Sequence, residues 1–331
     1  MLDDAKIAAL TPIKRTRSVL ALGWASLESA AAGRAEHRPI EELYPETLVR
    51  RTHFAAGGEL GWSITALTTP RATPAAWKIV VVTGAPSWPE YWAPTMAALP
   101  AHREMVVVSR PGYGASEPPG GAVDIETQAR ALAPLLSAAR GQRVMLIGQS
   151  YGAAIASLMA ADHPQKVHSL VLLSSYLGDQ GPTARWLMTV GARLAGVLPR
   201  DLRNAVNEVA RQPEQIHLMA AALPRVRAPI HVIHGEEDDF APLESARALA
   251  RDTRARRPIR FVVAPGASHF LTETAADSLM SLIEQCVPVA PDPIAVLARL
   301  AGSALTSLQT IARIGEFTLR RRKTTAVQQP G

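Results

Sequence analysis

The stretch Arg143-Val-Met-Leu-Ile-Gly-Gln-Ser-Tyr-Gly-Ala-Ala-Ile-Ala-Ser157 constrains this chain more than any other. Val144 to Ile147 is an apolar run of strand length, and the small residues from Ala153 onward favour a helix. Between them Gly148-Gln149-Ser150-Tyr151-Gly152 fits Gly-x-Ser-x-Gly in the strand–turn–helix setting that a nucleophile elbow requires. A strand that turns abruptly into a helix brings its backbone against its neighbours, where a Cβ at 148 or 152 would clash. The turn carries the Ser150 hydroxyl to the strand tip and aims the positive end of the helix dipole at the reacting centre.

A serine hydroxyl is a weak nucleophile until a base takes its proton, and the base must be held in one tautomer by an acid. Pro229 to Gly235 is an apolar strand run that ends in the carboxylates Glu236, Glu237, Asp238 and Asp239. Arg260 to Ala264 repeats the design, followed by a Pro265-Gly266 turn and then His269. Nucleophile, acid and base thus come in the order serine, aspartate, histidine, each just past a predicted strand. That edge of an open α/β sheet is where sites are built. His231 and His234 alternate within a strand and His53 precedes the sheet core, so these three read as structural histidines.

These segments resemble the α/β-hydrolase family. Lys78-Ile-Val-Val-Val-Thr-Gly-Ala-Pro-Ser-Trp88 is similar to its strand and oxyanion loop, and Met105-Val-Val-Val-Ser-Arg-Pro-Gly-Tyr-Gly-Ala-Ser116 to the next strand and its Arg-Pro-Gly loop. Asp162-His-Pro-Gln-Lys-Val-His-Ser-Leu-Val-Leu-Leu173 matches the passage from the elbow helix into the following strand. Gly235-Glu-Glu-Asp-Asp-Phe-Ala-Pro242 fits the family's Gly-x-x-Asp-x-x-Val-Pro, which selects Asp238 over Asp239 and Glu237; the latter two read as solvated. The resemblance implies Ser150 as nucleophile, His269 as base and Asp238 as acid. Asp179 is the alternative acid, because some members take it from the strand after the elbow helix. It also implies backbone amides of Ala85 and Tyr151 as oxyanion donors, since Pro86 has no N–H. Two positions depart from the family: Thr83 stands where His is usual and Ser109 where Asp is frequent. The first bears on loop rigidity and substrate preference more than on catalysis.

The implied architecture is an α/β-hydrolase fold, a mostly parallel eight-stranded sheet with helices on both faces and a small helical cap. Strands are predicted near 48–55, 60–67, 78–84, 104–110, 143–149, 169–175, 229–235 and 260–266, the first pair antiparallel. The core would comprise 46–177 and 226–288, with the cap inserted at 178–225, an extension at 1–45 and a tail at 289–331. Trp88, Trp92, Trp186 and Met188 are candidate pocket residues. For Trp88, Tyr91 and Trp92, packing against a helix is an equal alternative.

With 331 residues, 47% hydrophobic and 19% charged, the chain has ample apolar residues for a packed core. The net charge of +6 resides in the ends. Residues 1–40 carry six basic and four acidic side chains, 291–331 six and two, and 41–290 are balanced, which gives no argument for nucleic-acid binding. Lys14, Arg15 and Arg17 before a ten-residue apolar run resemble an export signal, but Asp3, Asp4, Pro12 and Glu28 oppose it, favouring a cytoplasmic protein. Leu297 to Phe317 repeats apolar residues at helical spacing and ends in Arg320-Arg-Arg-Lys323. That stripe is expected to bury itself against the domain, in a homodimer, or on a membrane surface through residues 294–323. The single cysteine, Cys286, reads as a buried structural thiol, and no His, Cys and carboxylate spacing suggests a metal.

Together these features predict a cofactor-free serine hydrolase for carboxylic esters or lactones with small to medium apolar acyl groups. An acyltransferase or carbon–carbon hydrolase would use the same triad, and a non-catalytic ligand-binding relative would share the fold. Serine at the elbow, in place of aspartate, opposes haloalkane dehalogenase and epoxide hydrolase chemistry. The lack of a Gly-Gly-Ser-Trp-Gly elbow opposes proline iminopeptidases.

Overall fold

Eight strands form where the apolar runs predict them, with ends displaced by a few residues: β1 (Arg50–Ala55), β2 (Ser63–Thr68), β3 (Trp77–Val82), β4 (Arg103–Val108), β5 (Arg143–Gln149), β6 (Ser169–Leu173), β7 (Ile230–Gly235) and β8 (Arg260–Ala264). The computed structural model describes residues 23–288 except 25, 35, 37, 121, 122, 253, 257, 274 and 275. The predicted basic N-terminal segment and the stripe at 294–323 lie outside the described residues.

The strands make one sheet in the order β1-β2-β4-β3-β5-β6-β7-β8. β2 runs antiparallel to β1 and β4, and the other pairs are parallel. Inner strands of such a sheet are covered on both faces, which explains their unbroken apolar runs. Val80, Val82 and Leu146 join the core on one face, and Ile79, Val81, Met145 and Ile147 join the core on the other. The helices that surround the sheet include α1 (Ile40–Leu43), α2 (Ala93–Ala97), α3 (Ile125–Leu132), α4 (Gly152–Asp162), α5 (Pro182–Leu194), α6 (Arg200–Ala222), α7 (Leu243–Ala250) and α8 (Ala276–Glu284). α4 is buried from Gly152 to Ala161, which its small side chains permit. α5 and α6 form the long β6–β7 connection. Among the described residues no helix is long and apolar enough to cross a membrane. Cys286 is buried, and loss of solvation pushes its thiol up to about 11 despite the attraction of Arg260.

Parallel registry brings the functional loops together. Val82 pairs with Gly148, so the loop after β3 runs beside the elbow, and Gly235 pairs with Ala264, so the loops after β7 and β8 leave side by side. The two elbow glycines have no room for a side chain. A Cβ at Gly152 would sit 2.3 Å from the Val82 carbonyl oxygen, and one at Gly148 would sit 2.6 Å from the Gly152 oxygen. The obstructing atoms are backbone and cannot swing away. Gly152→Ala is therefore expected to destabilise by about 1–3 kcal/mol or more. Gly196→Ala, whose Cβ would meet nothing within 4 Å, should be nearly neutral. Equal thermal midpoints for the two variants would refute this account of the elbow.

Candidate active site

Ser150 occupies the tip between β5 and α4 with φ of +50°, a left-handed conformation that costs a residue bearing a Cβ about 1–2 kcal/mol. Such strain persists only where surroundings enforce it. Here the Ser150 N–H donates to the Leu173 carbonyl at 2.8 Å, and the Ser150 carbonyl accepts from Tyr176 N at 3.2 Å. The Ser150 Oγ lies 2.9 Å from His269 Nε2, and His269 Nδ1 lies 2.8 Å from Asp238 Oδ2. Three loops, after β5, β7 and β8, thus deliver the three predicted residues into one hydrogen-bonded chain. The His269 ring stacks on Phe240 at 5.1 Å and meets the edge of Phe270 at 5.4 Å, which fixes its plane.

Asp238 is placed as an acceptor on every side. Its Oδ1 accepts from the N–H groups of Phe240 and Ala241 at 3.0 and 2.9 Å. Its Oδ2 receives His269 and also His234, whose Nε2 is 3.2 Å away. Burial pulls this carboxyl upward, but attraction to His269 and the hydrogen bonds from His234 and His269 outweigh it, holding the group well below the usual carboxylate range. His234, read from the sequence as a structural strand histidine, therefore touches the acid of the chain. Its Nε2 also faces the Ala241 carbonyl oxygen at 2.9 Å. A nitrogen aimed at two acceptors carries the proton and donates.

Other carboxylates lie elsewhere. Asp179 accepts from the Ser245 hydroxyl at 2.7 Å on the surface, and it is Asp238 that His269 Nδ1 meets. Glu237 is exposed, as expected. Asp239 departs from expectation: it is buried and accepts a hydrogen bond from Thr183 of α5. The loop entering α5 explains this, because Gly181 N donates to the Phe240 carbonyl and has no room for a Cβ against the Asp239 backbone.

Ala85 and Ser150 line one cavity, and Tyr151 immediately precedes α4, so its amide belongs to the helix N-terminus. Thr83 anchors the loop after β3: its hydroxyl donates to the Val108 carbonyl at 3.0 Å and pairs with Ser87 Oγ. Ser87 Oγ in turn accepts from Arg110 N at 2.8 Å.

The cavity beside Ser150 holds about 240 Å³ and is mainly apolar, walled by Leu187, Met188, Leu194, Leu202, Val206 and Phe240 among others. Of the candidate pocket residues Trp88 and Met188 line it, Trp186 does not, and Trp92 takes the packing alternative. Trp92 is fully buried in the core under the sheet and donates from Nε1 to Gln149 Oε1 at 2.9 Å, bracing the elbow from behind. Trp186 is 56% exposed, because the inward stripe of α5 is carried by Ala184, Leu187, Met188 and Gly191.

The α/β hydrolase fold model matches residues 79–214. RutD of Klebsiella pneumoniae (strain 342), a proposed carbamate hydrolase, is 31% identical over 194 residues, covering 56% of this chain and 71% of RutD. This chain belongs to the α/β-hydrolase fold family. The 2-(acetamidomethylene)succinate hydrolase of Mesorhizobium japonicum is 25% identical over 226 residues, covering 57% of this chain and 80% of its own. Among solved structures, a thermophilic esterase from Thermogutta terrifontis shares the fold with a TM-score of 0.55 at 20% identity, over 71% of this chain and 97% of the esterase.

This α/β-fold hydrolase has a polar stripe on α6 that the sequence reading passed over. Asp201, Asn204, Glu208 and Gln212 are spaced three and four apart, so they share one face. Gly114 N donates to Asp201, Asn204 donates to the Gly112 carbonyl, and Gln212 donates to the Tyr176 carbonyl. Glu208 forms a fully buried bidentate pair with Arg110, at 2.6 and 2.7 Å. The signal was present as a repeat of polar residues at helical spacing, which on its own resembles a solvated face. Among the described residues no three His, Cys, Asp or Glu side chains converge as metal ligands.

Proposed function

We propose that this α/β-fold hydrolase cleaves carboxylic esters or lactones with small to medium apolar acyl groups through an acyl-enzyme on Ser150. The observation that carries the reading is the Asp238–His269–Ser150 chain of hydrogen bonds opening onto an apolar cavity. In this scheme His269 Nε2 takes the Ser150 proton as Oγ attacks the carbonyl carbon. The amides of Ala85 and Tyr151 stabilise the tetrahedral oxyanion. Collapse expels the alcohol, which leaves with the proton from His269, and water repeats the sequence to release the acid. Asp238 keeps the imidazole proton on Nδ1 and offsets the charge of the imidazolium. α5 and α6, at 178–225, act as the cap that closes the acyl cavity.

The cavity argues for the acyl class. Its volume falls below the range of about 300–1,000 Å³ typical of drug-sized sites. Among the described residues that line it none is Lys or Arg, so a dicarboxylate such as a succinate derivative finds no counter-charge there. Each methylene moved from water into such a wall is worth about 0.8 kcal/mol, or roughly fourfold in kcat/KM. Across p-nitrophenyl esters of increasing chain length, kcat/KM should rise by about that factor per carbon until the cavity fills, then fall. Lactones and an acceptor alcohol assayed alongside separate hydrolysis from acyl transfer. A profile that is flat or declines from acetate onward would count against an apolar acyl site.

A further inference from the structure

We infer that Arg110, held by Glu208 of α6, orients and polarises the peptide that supplies the Ala85 oxyanion donor, so that the seating of α6 sets the strength of the oxyanion hole. The inference rests on the serine-hydrolase reading above and adds a positioning pair to it.

The argument begins with the peptide unit. The Gly84 carbonyl and the Ala85 N–H belong to one planar group, and in a trans peptide they point in opposite directions. Arg110 Nη2 donates to the Gly84 carbonyl oxygen at 2.8 Å, and Arg110 Nε to that of Thr83 at 2.9 Å. One guanidinium therefore fixes two successive peptides. Drawing the Gly84 oxygen toward Arg110 turns the Ala85 N–H away from it. The far side is the side of the nucleophile: a Cβ built on Gly84 would lie 3.5 Å from Ser150 Oγ, and Ala85 shares the cavity wall with Ser150, whereas Arg110 is wholly buried.

Charge adds to orientation. A cation on the carbonyl draws electron density through the amide and strengthens its N–H as a donor, most effectively where water is excluded. The same guanidinium lies 4.9 Å from the ring centroid of Tyr151, the residue that supplies the second donor. A single buried cation thus bears on both halves of the oxyanion site.

Arg110 has no freedom to point elsewhere. Its five N–H groups meet five acceptors: the carbonyls of Thr83 and Gly84, Gln128 Oε1, and the two oxygens of Glu208. Glu208 is equally committed, because Gln128 Nε2 and the Tyr113 hydroxyl donate to it at 2.8 and 2.6 Å. The counter-charge comes from α6, an element outside the sheet. Lifting α6 would remove the carboxylate that keeps the guanidinium aligned, so the oxyanion site is complete only while α6 is seated.

A purely structural role predicts a different outcome on mutation. Buried ion pairs can often be replaced by apolar residues with little loss of stability, whereas removing one partner alone is strongly destabilising. The informative variant is therefore the charge-free double substitution Arg110→Met with Glu208→Leu. It is expected to fold and to keep KM for a p-nitrophenyl ester within about threefold, while kcat falls by roughly 100-fold, the scale of a lost oxyanion donor. Affinity for a trifluoromethyl ketone, which mimics the tetrahedral adduct, should fall by a similar factor, since the lost stabilisation belongs to the transition state. A folded double variant with kcat and ketone affinity near those of the parent would overturn the inference. If the double variant does not fold, Glu208→Asp decides, because it keeps the charge but withdraws it by one methylene. It should lower kcat and ketone affinity together with KM unchanged, and no change in either would overturn the inference. A parent protein that neither turns over esters nor reacts with a fluorophosphonate would instead defeat the serine-hydrolase reading, and this inference with it.

Discussion

Replacing Ser150 with alanine is expected to abolish covalent labelling by a fluorophosphonate and to cut ester turnover by up to about a million-fold, the scale on which loss of a triad serine is felt. The substitution isolates chemistry from folding. Alanine keeps the Cβ, so the strained backbone at φ +50° and the contacts that enforce it are unchanged. Only the oxygen 2.9 Å from His269 Nε2 is removed. Stability should hardly move, and the alanine variant should still bind the substrate in the apolar cavity. Undiminished labelling in that variant, located by mass spectrometry of the labelled peptide, would place the nucleophile elsewhere and remove the basis of the proposed function.

Much of this site is legible in the sequence, because its parts obey local rules. An apolar run must become a buried strand, a strand that turns sharply needs Gly148 and Gly152, and the next loops must end at the same sheet edge. The Cβ positions at the two glycines show that the steric argument was the operative one. The resemblance to the family supplied the choice of Asp238 among four adjacent carboxylates, which spacing alone could not make.

What stayed hidden depends on packing between distant segments. Trp186, Leu187 and Met188 are consecutive, and only the seating of α5 decides which of them faces the cavity. For Trp92 the sequence leaves lining and packing equally open, and only the fold shows its indole bracing Gln149. Asp239 resembled any exposed acid until the loop before α5 covered it. Glu208 was the most thoroughly concealed, since a buried carboxylate on a helix is defined by its partner, and Arg110 lies 98 residues earlier in the chain. His234 had the same difficulty on a shorter scale: the alternation of β7 shows which face it takes, not that a carboxylate awaits it there.

Asp238→Asn is expected to leave the fold intact and to lower kcat by up to about ten-thousand-fold, as the same change does in other triads. The reason lies in the donors around the carboxylate. Oδ1 faces two backbone N–H groups that cannot turn away, so the amide oxygen of an asparagine must take that side. Its NH2 group is then forced toward His269 Nδ1 and His234 Nε2. A donor meeting a donor is resolved only by moving the histidine protons. For His269 the proton shifts to Nε2, where it blocks acceptance of the Ser150 proton. The charge matters as well as the geometry. A carboxylate held below its unfolded value near about 3.9 contributes stability that is present above that pH and lost as pH falls through the lower folded value. Asparagine forfeits that contribution at neutral pH, so the variant should melt somewhat earlier and show a weaker loss of stability on acidification below about pH 4. Asp179→Asn provides the control, since that side chain accepts a hydrogen bond from Ser245 at the surface. Its turnover should stay within about twofold of the parent. Should Asp179→Asn prove crippling while Asp238→Asn retains full activity, the acid of the triad would belong to the loop after β6, and the hydrogen-bonded chain through Asp238 would have no part in catalysis.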